Sequence, residues 1–297
     1  MKLSCNTGAL IPIIGEEEAI KLLASAGFDA LDFSCFDMLR DENSPKLKSN
    51  YREYAKKLLN IANQYGVYFN QAHAPFPSSK PDEAFTEMAF ERILRCIEMC
   101  SILGVENVVV HPKQHLKYSE KGNPEKLLEM NLQFYNRLIP YCRDYNVHVA
   151  AENMWQYDDN QIISHSTCSK KEEFKQYLSL IDSPWIVGCL DIGHANLMGD
   201  DIPQFIHTLG SKLKCLHIHD TGHNVDLHLL PYTVIGEDKW DGILKALAEI
   251  GYTGDLTFEA DSTLIKAPKK LKLETAEYME KVGRLMIEKF ESFSENV

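Results

Sequence analysis

Six short apolar runs of this chain end on a histidine or an acid. The runs read FNQAH, VVVH, VAAE, VGCLD, CLH and LTFE, and they end at His73, His111, Glu152, Asp191, His217 and Glu259. Successive ends lie 38, 41, 39, 26 and 42 positions apart, about one strand-plus-helix unit each. Buried strands have no ordinary need for polar residues at all of these ends. The pattern therefore predicts that the six side chains meet and bind something together.

The sharpest group within this set has three carboxylates and one imidazole: Glu152, Asp191, His217 and Glu259. These donors suit a divalent ion such as Mn²⁺, Mg²⁺, Co²⁺ or Zn²⁺. Confined carboxylates repel one another, and a cation removes that repulsion. Any one of the acids could instead end its strand against backbone amides or a lysine. That explanation weakens for four residues at this spacing, so we expect one bound divalent metal ion.

Alternating strand and helix patterns must position these residues. Strands are predicted at 2–7, 28–34, 67–73, 107–111, 146–152, 186–191, 213–219 and 255–260. Helices are predicted at 16–26, 48–65, 82–103, 124–144, 170–181, 202–210, 239–250 and 271–293. This alternation predicts an α/β fold, a single (β/α)8 TIM barrel whose strand ends share one mouth. The longer loops, at 74–81, 112–123, 153–168 and 220–238, follow strands at that face.

Composition and charge limit the class of protein. The 297 residues are 44% hydrophobic, and no linker or low-complexity tract divides them, so we expect one TIM-barrel domain over 1–297. The apolar runs are too short to span a bilayer and the first residues do not read as a secretory signal. A cytoplasmic protein is therefore expected, and the eight cysteines fit that location as reduced thiols. No CxxC pair occurs, which argues against a structural zinc knuckle. The net charge of −12 argues against membrane and nucleic-acid partners.

Several motifs follow one another in a fixed order along the chain. They are AHAPF at 72–76, VVVHP at 108–112, AAEN at 150–153, CLDIGHAN at 189–196, LHIHD at 216–220, DLHLLPYTVIGEDKWDGI at 226–243 and LTFEA at 256–260. In these segments the chain resembles the sugar phosphate isomerase/epimerase superfamily of xylose isomerase-like barrels, and within it the ketose 3-epimerases. The resemblance implies an enzyme acting on a small-molecule sugar, keto-sugar or polyol. It also implies that a homo-oligomer is to be expected, since barrels of this family often pair.

The resemblance assigns roles to individual residues. The ketose 3-epimerase branch uses Glu, Asp, His and Glu on successive strands as metal ligands, and these positions match Glu152, Asp191, His217 and Glu259. Together with their places on strands 5 and 8, the resemblance makes Glu152 and Glu259 the acid/base pair. His194 matches a substrate-contacting histidine, and His223 stands where that branch has a substrate-binding arginine. The remaining substrate contacts are expected from His73, His111, Asp226, His228 and Trp155.

This set of residues suits proton transfer at carbon. A carboxylate removes a proton from a carbon beside a carbonyl, leaving an enediolate, and an acid on the other face returns it. A divalent ion beside the carbonyl and hydroxyl oxygens stabilises the negative charge as it develops. An isomerase would instead return the proton on the same face.

Two alternative functions remain open. The endonuclease IV family shares this barrel and uses a similar set of residues on three zinc ions, so the alternative cofactor is two to three Zn²⁺. The nine matching positions are His73, His111, Glu152, Asp191, His194, His217, Asp226, His228 and Glu259. Against a phosphodiesterase, the loops after strands 3 to 8 contain no arginine, and the candidate cations are Lys80, Lys113, Lys117 and Lys121. A non-catalytic carbohydrate-binding barrel is the other alternative, and it would tolerate loss of Glu152 or Glu259.

Overall fold

The chain folds into a closed ring of eight parallel strands. The computed structural model describes residues 1–222 and 224–295. The strands are β1 (Leu3–Asn6), β2 (Ala30–Ser34), β3 (Tyr68–His73), β4 (Asn107–Val109), β5 (His148–Glu152), β6 (Ile186–Asp191), β7 (Leu213–His217) and β8 (Leu256–Phe258). From β1 to β7 each strand pairs with the next in sequence, β8 pairs with β1, and a bridge between Ile218 and Phe258 closes the ring. Between β7 and β8 the Ile218 N–H donates to the Thr257 carbonyl at 2.8 Å, and the Glu259 N–H donates to the Ile218 carbonyl at 3.1 Å. The predicted (β/α)8 barrel is confirmed.

Helices surround the ring, as the alternating sequence pattern requires. They are α1 (Ile11–Ile14), α2 (Glu16–Ala26), α3 (Tyr51–Gln64), α4 (Glu83–Leu103), α5 (Asn123–Tyr145), α6 (Lys171–Ile181), α7 (Ile192–Leu197), α8 (Ile202–Leu209), α9 (Glu237–Glu249), α10 (Asp261–Lys266) and α11 (Lys272–Ser294). Single 3₁₀ turns lie at Phe36–Leu39, Pro45–Leu47, Gly210–Lys212 and Lys269–Leu271. All eight predicted helices form.

Four short elements were not predicted. They are α1, α7, α10 and an antiparallel ribbon that pairs Trp155–Tyr157 with Ile163–His165 inside the loop predicted at 153–168. Each is too short for a hydrophobic period to develop. Helix α7, for example, begins because the Asp191 carboxylate accepts a hydrogen bond from the His194 N–H at 2.7 Å.

The apolar residues of the strands and of the inner helix faces form the core. All six residues of β6 are buried, as expected for a parallel strand covered on both faces. Outside the ring, Trp240 of α9 is fully buried together with Ile243, Leu244 and Leu247 of the same helix. The eight cysteines are all buried and form no disulfide. Among the described residues, no helix is long and apolar enough to cross a bilayer.

The strand register places the polar strand ends at one rim. Asp191 lies opposite His217, Glu152 opposite Cys189, and His73 opposite Val109. These residues end or nearly end their strands at the carboxyl side, so their side chains share the mouth of the barrel. Despite being polar, Glu152, Asp191 and His217 are at most 1% exposed. Burial of this kind requires partners inside the mouth.

Candidate active site and metal centre

Glu152, Asp191, His217 and Glu259 converge at the centre of the mouth. One donor atom from each lies within 4.8 Å of those of the other three. The His217 Nδ1 is 3.1 Å from Glu152 Oε1, 3.3 Å from Glu259 Oε2 and 3.9 Å from Asp191 Oδ2. Barrel closure thus joins the ends of β5, β6 and β7 with the residue that follows β8. The arrangement offers one nitrogen and several carboxylate oxygens to a single cation.

Asp32 of β2 lies behind the ring of His217. The His217 Nε2 lies 3.7 Å from Asp32 Oδ2, on the side of the ring away from the other carboxylates. The same Asp32 oxygen accepts hydrogen bonds from Asn6 Nδ2 and Gln71 Nε2, each at 3.1 Å. A carboxylate behind a histidine fixes the ring orientation and leaves the other nitrogen for a metal. Sequence reasoning missed Asp32, although a lone acid within the apolar strand ALDFS was an available signal.

A second donor group consists of His73, His111 and Glu152. The His73 Nδ1 bonds the Ala74 carbonyl at 2.8 Å, and because a carbonyl only accepts, this nitrogen carries the proton. The His73 Nε2 lies 3.1 Å from His111 Nε2, which is 3.0 Å from Glu152 Oε2. The two histidines therefore direct ring nitrogens at the same point beside Glu152. They lie where the sequence predicted contacts at the mouth.

A third group surrounds Asp226. The Nδ1 of His194 donates to the Asn153 carbonyl at 2.9 Å, and that of His228 donates to the Glu259 carbonyl at 2.9 Å. Both Nε2 atoms then face Asp226 Oδ2, at 3.4 Å and 3.1 Å. Trp155 Nε1 donates to the same oxygen at 3.2 Å. The structure thus brings together four predicted site residues, namely His194, Asp226, His228 and Trp155. His223, which was also predicted, lies outside the described residues.

His219 belongs to the third group, and sequence reasoning did not select it. Its Nε2 lies 3.0 Å from the Asp191 carboxylate, and its ring stacks on that of His228 with centroids 4.0 Å apart. Gly193 makes room for this ring, because a Cβ there would lie 2.0 Å from the Cε1 atom of His219. The available signal was the spacing of LHIHD, since residues 217 and 219 of an extended chain point to the same side.

The pKa values of these side chains reflect a dense negative charge. Burial opposes ionisation of Glu152, but positive charge on His217 and His111 outweighs it and lowers the pKa of Glu152. Burial also disfavours the charged form of His194, yet Asp191 and Asp226 raise its pKa to about 10. The pKa of His217 is raised by negative neighbours against the same burial penalty. The carboxylates therefore favour positive charge in the mouth, from imidazolium protons or from a metal cation.

Buried oxygens without hydrogen bonds also fit a cation. Among the described residues, Glu152 Oε2, Asp226 Oδ1 and Asp32 Oδ1 are buried and accept no hydrogen bond. Leaving such atoms unpaired is costly, and a metal ion beside Glu152 or Asp226 would satisfy them. Mixed imidazole and carboxylate donors are those of borderline divalent ions. The residues present therefore fit a divalent metal.

A cavity of about 620 Å³ opens above these groups. Its floor contains candidate ligands and its walls include Phe36, Phe76, Met154 and Trp155. A volume of this size suits a small organic ligand. The loop lysines at 80, 113, 117 and 121 do not line the cavity, but Arg40, which follows the 3₁₀ turn after β2, does.

Asp261 is a further lining residue that sequence reasoning missed. It occupies the first turn of α10, two residues after Glu259. Burial, followed by the charge of Glu259, raises its pKa to about 7. A carboxyl group with this pKa can hold a proton near neutral pH. No local sequence signal separated Asp261 from an ordinary acid at a helix start.

Comparison with known proteins identifies the family. The family model for the xylose isomerase-like TIM barrel matches residues 20–282. The chain belongs to this family. The resemblance inferred from the motifs is thereby confirmed, together with the fold.

Two curated relatives in this family were compared. The chain is 27% identical over 164 residues to the uncharacterized protein y4fM of Sinorhizobium fredii, a match that covers 55% of this chain and only 50% of the relative. It is 24% identical over 278 residues to the putative L-ribulose-5-phosphate 3-epimerase SgbU of Escherichia coli K12, covering 88% of each chain.

Solved structures of the family share the whole fold. A D-tagatose 3-epimerase-like protein superposes with a TM-score of 0.74 at 23% identity, covering 97% of this chain and 99% of the other. The IolI protein, solved with a bound zinc atom, has a TM-score of 0.73 at 19% identity and 99% coverage of both chains. At these identities the likeness establishes the fold.

Proposed function

We propose that this enzyme is a divalent-metal-dependent sugar isomerase or epimerase. The observation that carries the proposal is the convergence of Glu152, Asp191, His217 and Glu259 beneath a cavity that fits a small molecule. The names of the relatives support it, because they include a putative L-ribulose-5-phosphate 3-epimerase and a D-tagatose 3-epimerase-like protein. The proposed substrate is a small sugar, keto-sugar or polyol.

Those four residues would hold the metal ion. When bound, the ion supplies positive charge that stabilises the oxygens of the substrate carbonyl and its neighbouring hydroxyl as they become negative. Mixed nitrogen and oxygen donors suit Mn²⁺, Co²⁺ and Zn²⁺, and Mg²⁺ less well. IolI, with its zinc atom, offers a precedent in this fold.

The protein's own carboxylates move the proton. Glu152 and Glu259 both line the cavity, one at the end of β5 and the other directly after β8. One takes the proton from the carbon beside the carbonyl, which leaves an enediolate. The other, which starts the reaction protonated, donates its proton to the opposite face of that carbon, so the configuration inverts. The first group is then protonated and the second ionised, and proton exchange with solvent restores both.

The surrounding side chains orient the substrate and limit water. His194, Asp226 and His228 form one hydrogen-bonded cluster beside the metal ligands, next to the indole of Trp155. His73 and His111 lie on the other side of Glu152. Their donors and acceptors would contact sugar hydroxyls. The single domain, cytoplasmic location and homo-oligomer expected from the sequence remain parts of the proposal.

A second candidate is a multinuclear phosphodiesterase. The observation that favours it is the pair of additional donor groups, His73–His111–Glu152 and His194–His219–Asp226–His228, beside the first. They would hold two further zinc ions, giving three in total. Among the described lining residues, however, Arg40 is the only Arg or Lys, and a phosphodiester backbone is bound through several cations.

The decisive experiment follows a carbon-bound proton. Incubated in D₂O with a panel of ketoses, the enzyme should exchange the proton beside the carbonyl, and Glu259→Gln should abolish that exchange. Glu249→Gln is the matched control, since Glu249 lies on the outer helix α9 and contacts His207. Cleavage of abasic-site duplex and three zinc ions per chain would instead support the phosphodiesterase. Sugar binding that Glu259→Gln leaves intact, without any exchange, would indicate a carbohydrate-binding barrel.

A further inference from the structure

We propose that Arg40 binds an anionic group of the substrate, a phosphate or a carboxylate, at the edge of the cavity. The inference rests on the proposed function and specifies its substrate class. It would make Arg40 a specificity-determining residue, positioned away from the reacting carbon.

Arg40 differs from the other six arginines of the chain. Each of those has a carboxylate or carbonyl partner: Arg52 with Glu98, Arg92 with Glu42, Arg95 with the Leu47 carbonyl, Arg137 with Glu87, Arg143 with Asp144 and Arg284 with Asp29. Among the described residues, the Arg40 guanidinium makes no hydrogen bond and no ion pair, only contacts with rings. Its five N–H donors are therefore available to a ligand.

The acids near Arg40 in sequence are occupied elsewhere. Asp37 pairs with the buried Lys46 and accepts a hydrogen bond from Ser44, and Glu42 pairs with Arg92. The Asp41 carboxylate accepts from the Asn43 N–H at 2.8 Å. The acids nearby in sequence therefore leave the Arg40 guanidinium without a partner.

Two aromatic rings hold the guanidinium over the cavity. Its carbon lies 5.2 Å from the centroid of Phe36 and 4.8 Å from that of Phe76. Phe36 packs edge-on against His73, with ring centroids 4.6 Å apart, and Phe76 stacks on His111, with centroids 4.7 Å apart. Both histidines lie on the floor of the cavity. Contact with ring faces restrains a guanidinium while leaving its N–H edges free for a planar anion. The cation is therefore linked by packing to the candidate ligands below.

The cavity contains a cation that compensates the charge of an anionic ligand group. Glu152, Asp226, Glu259 and Asp261 line it, so a negatively charged substrate would be repelled unless a cation compensated its charge. Arg40 is the one Arg or Lys among the described lining residues. A guanidinium pairs with two oxygens of a phosphate or carboxylate at once. The ketone end of the substrate would then lie on the metal ligands and the anionic end at Arg40.

The test compares three ketoses of the same length. Binding to the enzyme as purified is measured by calorimetry for fructose, fructose 6-phosphate and fructuronate, and deuterium exchange is followed for each. We expect one or both anionic sugars to bind at least about 10-fold more tightly than fructose, since a hydrogen-bonded charge contributes this much or more. The phosphate and carboxylate probes show which anion is accepted.

Arg40→Gln should remove that preference for the anionic sugar. Arg137→Gln is the matched control, because Arg137 also lies over a phenylalanine ring, that of Phe90, but on the outer helix α5. The inference is overturned if neither anion binds better than fructose, or if the preference persists in Arg40→Gln. Loss of the preference without exchange of any sugar would support the anion site but count against the proposed function. Deuterium exchange without any preference for the anionic sugars would support the proposed function but overturn the anion site.

Discussion

Among the described residues, two clusters of buried or partly buried carboxylates are neutralised differently. In the first cluster, Glu16 lies on α2 and Asp37 lies in the 3₁₀ turn after β2. The fully buried Lys46 contacts Glu16 at 2.7 Å and Asp37 at 2.9 Å. In the second, at the mouth, the neighbours of the carboxylates are imidazoles, and no Lys or Arg pairs with them among the described residues. A buried ion pair needs its opposite charge close by.

The difference shows what each cluster is for. A lysine is a permanent cation that cannot leave, so the Glu16–Lys46–Asp37 cluster is complete within the chain. Imidazoles can release their protons and present lone pairs, so the mouth can exchange protons for a metal ion. The first cluster stabilises the fold, whereas the second is suited to bind a cation and a substrate.

The largest effect should follow from changing a carboxylate of the mouth. Glu152→Gln keeps the shape of the side chain but removes a negative charge and a base. We expect deuterium exchange into the substrate to fall by about 10²- to 10⁴-fold, the range of general-base catalysis. A variant that retains more than a tenth of the exchange rate would contradict the assigned role.

Removing the lysine of the first cluster should affect stability alone. Lys46→Met leaves the buried Glu16 and the partly buried Asp37 without a cation, which costs about 3–5 kcal/mol. Urea unfolding measures the change, and metal content per folded chain should stay the same. Adding Glu16→Gln and Asp37→Asn should recover part of the loss. Equal instability of the single and triple variants would mean that packing of the lysine stem, not charge, is responsible.

Asp32→Asn should weaken metal binding while preserving its stoichiometry. The carboxylate behind His217 orients the ring and raises its basicity, and loss of such a group costs about 10- to 100-fold in affinity. Competition with a chelating dye measures the affinity. Asp255→Asn is a control at the opposite end of the barrel, where the carboxylate accepts a hydrogen bond from Tyr68 at 2.7 Å. Unchanged affinity in Asp32→Asn would remove Asp32 from the metal centre.

The smallest effect concerns pH. The pKa of His194 is raised from 6.5 to about 10 in the folded protein. Its protonated form therefore stabilises the chelator-treated fold fully below about pH 6.5, and this contribution is lost as pH rises toward 10. We expect Tm of the chelated protein to fall by a few degrees between pH 7 and 10. The fall in Tm should be smaller in His194→Gln and in the protein with zinc present. An identical fall in the chelated protein, the variant and the zinc-containing sample would show that other groups are responsible.

The sequence predicted the barrel because its signals are local and repeated. Apolar runs that alternate with helical patterns indicate strand, helix and strand again. In the structure, helices α2 and α4 end at Gly27 and Gly104, both in the left-handed conformation. The short helix α7 was missed because a side-chain cap, not periodicity, begins it. The ligand candidates were found because polar residues at the ends of apolar strands are conspicuous.

Other parts of the site depend on contacts between distant segments. Asp32 lies behind His217, 185 positions away, and His219 reaches Asp191 through space left by Gly193. Arg40 could not be placed in the cavity from sequence, because it lies beyond β2 and only the 3₁₀ turn and two aromatic rings direct it there. These relationships have no local pattern.

The amino-acid sequence by itself determined the repeating strand–helix order, the residues at the strand ends and the chemistry that their side chains offer. Only the tertiary structure decided which of those side chains share a point, which nitrogen of each histidine is free and which arginine faces the cavity. The physical reason is that periodicity acts between neighbours along the chain. Ligand geometry depends instead on barrel closure, strand register and packing, which bring together residues more than a hundred positions apart.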